Sequence, residues 1–94
     1  MQIAMVGLGR MGANMVRRLQ AAGHECIAFD VDTDAVTAME REGAHGARTP
    51  QEVVDSLAAP RHIWLMVPAA YVASTIARFE PLLAPGDTLS LIHI

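Results

Sequence analysis

The sequence is poor in aromatic side chains, in basic side chains and in cysteine, and each shortage excludes something. Aromatic residues make up 4% of the 94 residues, while the hydrophobic share is 52%. Ala, Val, Leu, Ile and Met must therefore build the core, which suits a parallel sheet covered on both faces. Lys and Arg total 7 against 10 Asp and Glu, a net charge of −3, and no basic cluster exists. Nucleic-acid binding has little support from such a balance. Cys26 stands alone, so an internal disulfide framework is excluded and a reducing compartment is compatible. No uninterrupted apolar run approaches the ~20 residues of a membrane span. The start, Met1-Gln2-Ile3, carries no basic segment, and glycines break the apolar run after Val6. A targeting peptide is not expected, and a soluble cytoplasmic chain is. No repeat, low-complexity tract or linker divides the sequence, whose length allows at most one domain.

What is present begins almost at once. The apolar run Ile3-Ala4-Met5-Val6 leads into Gly7-Leu8-Gly9-Arg10-Met11-Gly12, and helical spacing follows at Met11, Met15, Val16, Leu19 and Ala22. Strand, glycine turn, helix is the context that gives a G-x-G-x-x-G pattern meaning. Gly7 lets the chain leave the strand sharply. Gly9 lets a pyrophosphate approach the backbone, and Gly12 lets helix and strand pack closely. The helix start then offers free N–H groups and a partial positive charge to phosphates.

The remaining pattern alternates. Gln2 to Val6 is the first strand, and the first helix runs from Gly9 or Arg10 to Ala22, with Gly23 as its stop. His24 to Phe29 is the second strand. It ends at Asp30, eighteen positions after Gly12. An acid there suits an adenosine ribose and repels a 2′-phosphate; the competing role is to cap the turn that follows. Asp32 or Thr33 caps a second helix carrying Val36 and Met39, closed by Gly43. Ala44 to Ala47 is a short third strand or an extended link. Thr49-Pro50-Gln51-Glu52 is a capping box with proline at the first helical position, opening a helix from Pro50 to Leu57. His62 to Val67 reads as a buried strand, stopped by Pro68. A helix from Ala70 to Phe79 follows, with Val72, Ile76 and Phe79 on one side, and Pro81 ends it. Pro85-Gly86-Asp87 turns the chain into a last strand, Thr88 to Ile94.

This order predicts an α/β, Rossmann-type parallel sheet, 3-2-1-4-5, flanked by helices. Ligands of such sheets bind at the carboxyl ends of the strands, where the strand order reverses. Gly7 to Gly12 and Val67 to Ala70 both fall there. A glycine turn can serve packing alone. Cys26 in a buried strand is a small core residue rather than a nucleophile. His24 and His62 begin strands, His45 has no assigned role, and no pair of histidines has metal-ligand spacing. Trp64 is a packing residue. For Arg10, in the turn itself, phosphate contact and simple exposure are both open.

At Gly7-Leu8-Gly9-Arg10-Met11-Gly12-Ala13-Asn14-Met15 the sequence resembles the β-hydroxyacid dehydrogenases. Within them it most resembles the short, NAD-preferring 6-phosphogluconate dehydrogenases. Ala22-Gly23-His24, Trp64-Leu65-Met66-Val67-Pro68-Ala69 and Pro81-Leu82-Leu83-Ala84-Pro85-Gly86-Asp87 carry the same likeness, which covers residues 1–88. The resemblance implies pyrophosphate contacts at Leu8, Gly9, Arg10 and Met11, ribose contact at Asp30, and Val67, Pro68 and Ala69 beside the nicotinamide ribose. Two departures stand out. Ala70 occupies a position where many relatives carry Gly, and Val31 follows Asp30 where users of the phosphorylated cofactor often carry Arg. NAD is thus expected over NADP.

Relatives continue from the Pro-Gly-Asp turn into an apolar strand and Asp-Gly-Gly-Asn. This chain reads Leu89-Ser90-Leu91-Ile92-His93-Ile94, which matches a translated sequencing-library adapter. The expectation is an NAD(P)-binding domain over residues 1–88 and a non-native tail over residues 89–94. In the family, 6-phosphogluconate is oxidised at C3 and loses carbon dioxide to give ribulose 5-phosphate. The resemblance implies that the lysine base, the proton-donating acid and the ligands of this sugar-acid phosphate lie elsewhere in a longer parent, which is expected to be a homo-oligomer. No catalytic and no metal-binding residue is therefore assigned here, and the fragment is expected to be inactive alone. The alternatives are the cofactor domain of a 3-hydroxyisobutyrate-type dehydrogenase and a non-enzymatic nucleotide-sensing module.

Overall fold

Alternating apolar strands and amphipathic helices close into one sheet in the computed structural model, which describes residues 1–91. The strands are β1 (Gln2–Val6), β2 (Glu25–Phe29), β3 (His45–Ala47), β4 (His62–Leu65) and β5 (Thr88–Leu91). The helices are α1 (Arg10–Ala21), α2 (Thr33–Arg41), α3 (Pro50–Asp55) and α4 (Val72–Phe79). All strands pair in parallel, in the order β3-β2-β1-β4-β5. This is the predicted Rossmann-type arrangement.

The strand interiors are apolar on both faces because helices cover both. Ala4 and Val6 point into a cluster with Val53, Val54 and Phe79, which belong to α3 and α4. Met5, between them, points the other way, to Val16, Val36 and Met39 of α1 and α2. Side chains alternate across a strand, so β1 feeds both layers. Each fully buried side chain of this size contributes ~1.5–3 kcal/mol through removal from water. With few aromatics available, the ring pair found among the described residues is Phe29 against Phe79, edge to face with centroids 6.0 Å apart.

Differences from expectation lie at element ends. β4 ends at Leu65 rather than Val67, although the Met66 N–H still donates to the Val6 carbonyl at 2.7 Å. α3 ends at Asp55 rather than Leu57. The helix expected from Ala70 begins as a tight turn over Ala69–Tyr71, and α4 proper starts at Val72. Pro68 fixes the local backbone, and the Tyr71 N–H closes back on the Pro68 carbonyl at 2.8 Å, one residue short of the α-helical spacing. Ala22, counted on the apolar side of the first helix, lies just past α1 and is exposed, while Met11, assigned to the glycine turn, is exposed there. The last strand is described over Thr88–Leu91, with Leu89 packed against the core. Ile92, His93 and Ile94 lie outside the described residues.

Candidate functional site

The glycine turn is fixed from both sides. The Gly7 N–H donates to the Phe29 carbonyl at 2.9 Å, at the end of β2. On the other side the backbone just after β4 comes so close that a Cβ on Gly7 would lie 2.5 Å from the Met66 carbonyl oxygen. Gly7 also has φ +101°, a left-handed conformation that glycine alone adopts without strain. A Cβ on Gly12 would overlap the Gly7 carbonyl oxygen, so α1 packs directly on the turn. Gly9 differs from both. Nothing lies within 4 Å of where its Cβ would be, and its backbone is extended. The missing side chain leaves open space in front of the helix.

Gly9 is the N-cap of α1, and no side chain caps the first turn. That turn also contains no acidic residue. The first N–H groups of a helix have no partner within it, and together they carry about half a positive charge. Here they face the open space beside Gly9. This arrangement accepts an anion and is the fit that a dinucleotide pyrophosphate requires.

Asp30 spans two turns. Its Oδ2 accepts from the Leu8 N–H at 2.7 Å, and its Oδ1 accepts from the Asp32 N–H at 2.9 Å. The carboxylate therefore ties the glycine turn to the tip of β2. Each carboxylate oxygen has a second lone pair, so acceptor capacity remains on the exposed side. The capping role that competed for Asp30 in the sequence is occupied, and it leaves room for a further hydrogen bond.

A groove of about 670 Å³ runs across the carboxyl ends of β1, β2 and β4, a size typical of small-molecule sites. Gly7, Gly9, Arg10, Met11 and Gly12 line it from the turn, Asp30 from just past β2, and Val67 and Pro68 from the segment after β4. These sequence-predicted residues are brought together. Two others are not part of the lining. Leu8 buries its side chain between α1 and α2 and gives its N–H to Asp30, so it acts on the groove only through that carboxylate. Ala69 already belongs to the tight turn that carries the chain away toward α4, and its side chain is exposed.

The groove also has a wall that the sequence reading missed. Tyr71, Ser74, Thr75 and Arg78 line it, at spacings i, i+3, i+4 and i+7. The signal was available: the helix has an apolar stripe at Val72, Ile76 and Phe79, and these four residues form the adjacent one. The Ser74 and Thr75 hydroxyls both donate to the Tyr71 carbonyl, at 3.1 and 2.6 Å. Among the described residues, no group of three His, Cys, Asp or Glu could hold a metal ion. Cys26 is buried beneath α1, and burial pushes its thiol up, away from thiolate reactivity.

Residues 2–91 match the family model described as the NAD-binding domain of 6-phosphogluconate dehydrogenase. The chain is 42% identical over 90 residues to an NAD(+)-dependent, decarboxylating 6-phosphogluconate dehydrogenase of Haloferax volcanii. It is 34% identical over 89 residues to a putative 6-phosphogluconate dehydrogenase of Bacillus subtilis. In both cases the match takes in 95% of this chain and 30% of the relative, so the chain spans about a third of the length of these relatives. Among solved structures, an arogenate dehydrogenase of Synechocystis superposes with a TM-score of 0.85 at 23% identity, over 99% of this chain and 33% of that one. That likeness concerns the fold. The glycine turn, the sheet order and the family match agree: this chain belongs to the family of NAD-binding domains of 6-phosphogluconate dehydrogenase.

Proposed function

We propose that this chain holds NAD as the cofactor domain of a 6-phosphogluconate dehydrogenase. The larger protein would oxidatively decarboxylate 6-phosphogluconate to ribulose 5-phosphate. The observation that carries the reading is the start of α1, an uncapped, acid-free helix N-terminus facing the open space beside Gly9. The N–H groups of this first turn hold the pyrophosphate. Asp30 takes the adenosine ribose hydroxyls with its remaining lone pairs. Val67 and Pro68 lie beside the nicotinamide ribose. Bound NAD supplies the hydride acceptor; the chain's own residues bind and orient it.

Preference for NAD over NADP rests on the charge at the tip of β2. Asp30, Asp32 and Asp34 stand within five positions, and Val31 between the first two is 79% exposed and uncharged. A 2′-phosphate placed there meets carboxylates and no neighbouring cation on that turn. All seven Lys and Arg side chains of the chain are arginines, so the lysine base that the family resemblance implies is not among its residues. The chain alone is therefore a binding module, and substrate turnover needs the remaining two thirds that its relatives possess.

Calorimetric titration of the chain with NAD and NADP tests this reading. NAD is expected to bind more tightly, and Asp30→Asn, which keeps an acceptor oxygen and removes the charge, is expected to shift the NAD-to-NADP ratio toward NADP by about tenfold. An unchanged ratio would remove Asp30 from the site. Turnover of 6-phosphogluconate by the chain alone would refute the division of labour.

A further inference from the structure

Five of the seven arginines fall into two contrasting groups, while Arg18 and Arg41 neither line the groove nor appear in an ion pair among the described residues. Arg17, Arg48 and Arg61 each pair with a carboxylate, at 2.6 to 3.2 Å, and none of them lines the groove. Arg10 and Arg78 do line it, and neither has an ion-pair partner among the described residues. Arg10 belongs to the glycine turn. Arg78 comes from the opposite wall, on α4, and its guanidinium lies 5.8 Å from the centroid of the Phe29 ring. Phe29 immediately precedes Asp30, so the guanidinium is set at the adenosine end of the groove. Exposed apolar surface gathers at the same groove: Met11, Val31 and Tyr71 are 46%, 79% and 61% exposed and all three line it. Ser74 and Thr75 have spent their hydroxyl protons on the Tyr71 carbonyl. Arg78 is thus the α4 side chain with charged donors and a planar face still free.

We propose that Arg78 is a specificity-determining residue for the adenine ring, stacking its guanidinium plane on the base while Phe29 holds it from below. This rests on the reading of the groove as a dinucleotide site. An arginine suits the role because its guanidinium is flat, delocalised and weakly hydrated, and stacks on π-systems. A lysine at this position would keep the charge and lose the plane.

The test is a set of titrations on the whole chain with ADP-ribose, NAD and nicotinamide mononucleotide, for wild type, Arg78→Leu and Arg78→Lys. Arg78 is exposed, so both variants are expected to keep the wild-type melting temperature. ADP-ribose and NAD are expected to weaken by about five- to tenfold in Arg78→Leu. Arg78→Lys is expected to recover only part of this loss, and the mononucleotide to be unaffected by either change. Equal loss for all three probes would show a general effect on the groove and overturn the assignment. So would Arg78→Lys binding like wild type, because charge without a plane would then suffice. Wild-type binding of ADP-ribose with no change in Arg78→Leu would refute the stacking role and leave the dinucleotide reading standing. No wild-type binding of ADP-ribose would overturn both.

Discussion

α2 and α3 begin on side chains that close their own first turns, whereas α1 begins on a residue with no side chain. Asp32 accepts from the Asp34 N–H at 3.0 Å, and Thr49 accepts from the Glu52 N–H at 3.1 Å. Each of these helices also has an acid in its first turn, Asp34 in α2 and Glu52 in α3. α1 has neither cap nor acid. Stabilising a helix start and binding an anion there make opposite demands on the same N–H groups. The chain meets the first demand in α2 and α3 and leaves the second open in α1; α4 also starts without a side-chain cap or an acid, but it continues from the tight turn over Ala69–Tyr71 rather than from an open glycine. Asp30 and Asp87 show the same division. Asp87, with a side chain 1% exposed, accepts from the N–H groups of Arg61 and Ala84 and pairs with the Arg61 guanidinium, away from the groove. Asp30 also accepts two backbone N–H groups, yet it does so at the groove and stays partly exposed.

The contrast can be broken most forcefully at Gly12. Gly12→Ala would press a methyl group into the Gly7 carbonyl oxygen. A loss of ~2 kcal/mol or more is expected, together with loss of NAD binding; a melting temperature equal to wild type would mean that α1 does not rest on the turn as described. Gly9→Asp inverts the arrangement, giving α1 the cap that α2 and α3 possess. Because the position is open, stability should be unchanged or rise by a few tenths of a kcal/mol. NAD affinity should fall at least about tenfold, since a carboxylate now occupies the anion position. Retained affinity would place the pyrophosphate elsewhere.

Thr49→Ala should do the converse. It removes the cap of α3 and should cost about 1 kcal/mol in chemical denaturation, with NAD affinity unmoved. A coupled loss of affinity would show that the two kinds of helix start are not independent. The smallest effect expected is the pH dependence of Asp87. The Ala84 N–H first, then the Arg61 N–H and guanidinium, hold this carboxyl below its ordinary value. Its contribution to stability is therefore complete above the unfolded value of about 4 and is lost as pH falls through the lower folded value. Melting temperatures should drop more steeply in wild type than in Asp87→Asn over that acidic window. Parallel slopes would show that Asp87 makes no net contribution.

Much of this was legible because it depends on neighbours in the chain. The capping box at Thr49, the stop at Gly23 and the five strands follow from local spacing and local backbone preference. The turn from Gly7 to Gly12 and the acid at Asp30 were readable from a fixed interval. Leu8 and Ala69 entered the expected site through the family resemblance, which does not give side-chain direction: the Leu8 side chain packs inward and Ala69 belongs to the tight turn after Pro68, so neither side chain lines the groove. Tyr71 and Arg78 went unrecognised because no motif marks them; they reach the groove only when α4 packs against the sheet through Phe79.

The sequence alone determined the order of strands and helices, the glycine turn and the absence of a cap on α1. These are consequences of period, propensity and short-range hydrogen bonding. Only the tertiary structure decided that Asp30 holds the Leu8 N–H, that the Met66 backbone presses against Gly7, and that Arg78 stands over Phe29. Each joins groups at least 22 residues apart in the chain. Their distances are set by how strands align and helices pack, which no local pattern specifies.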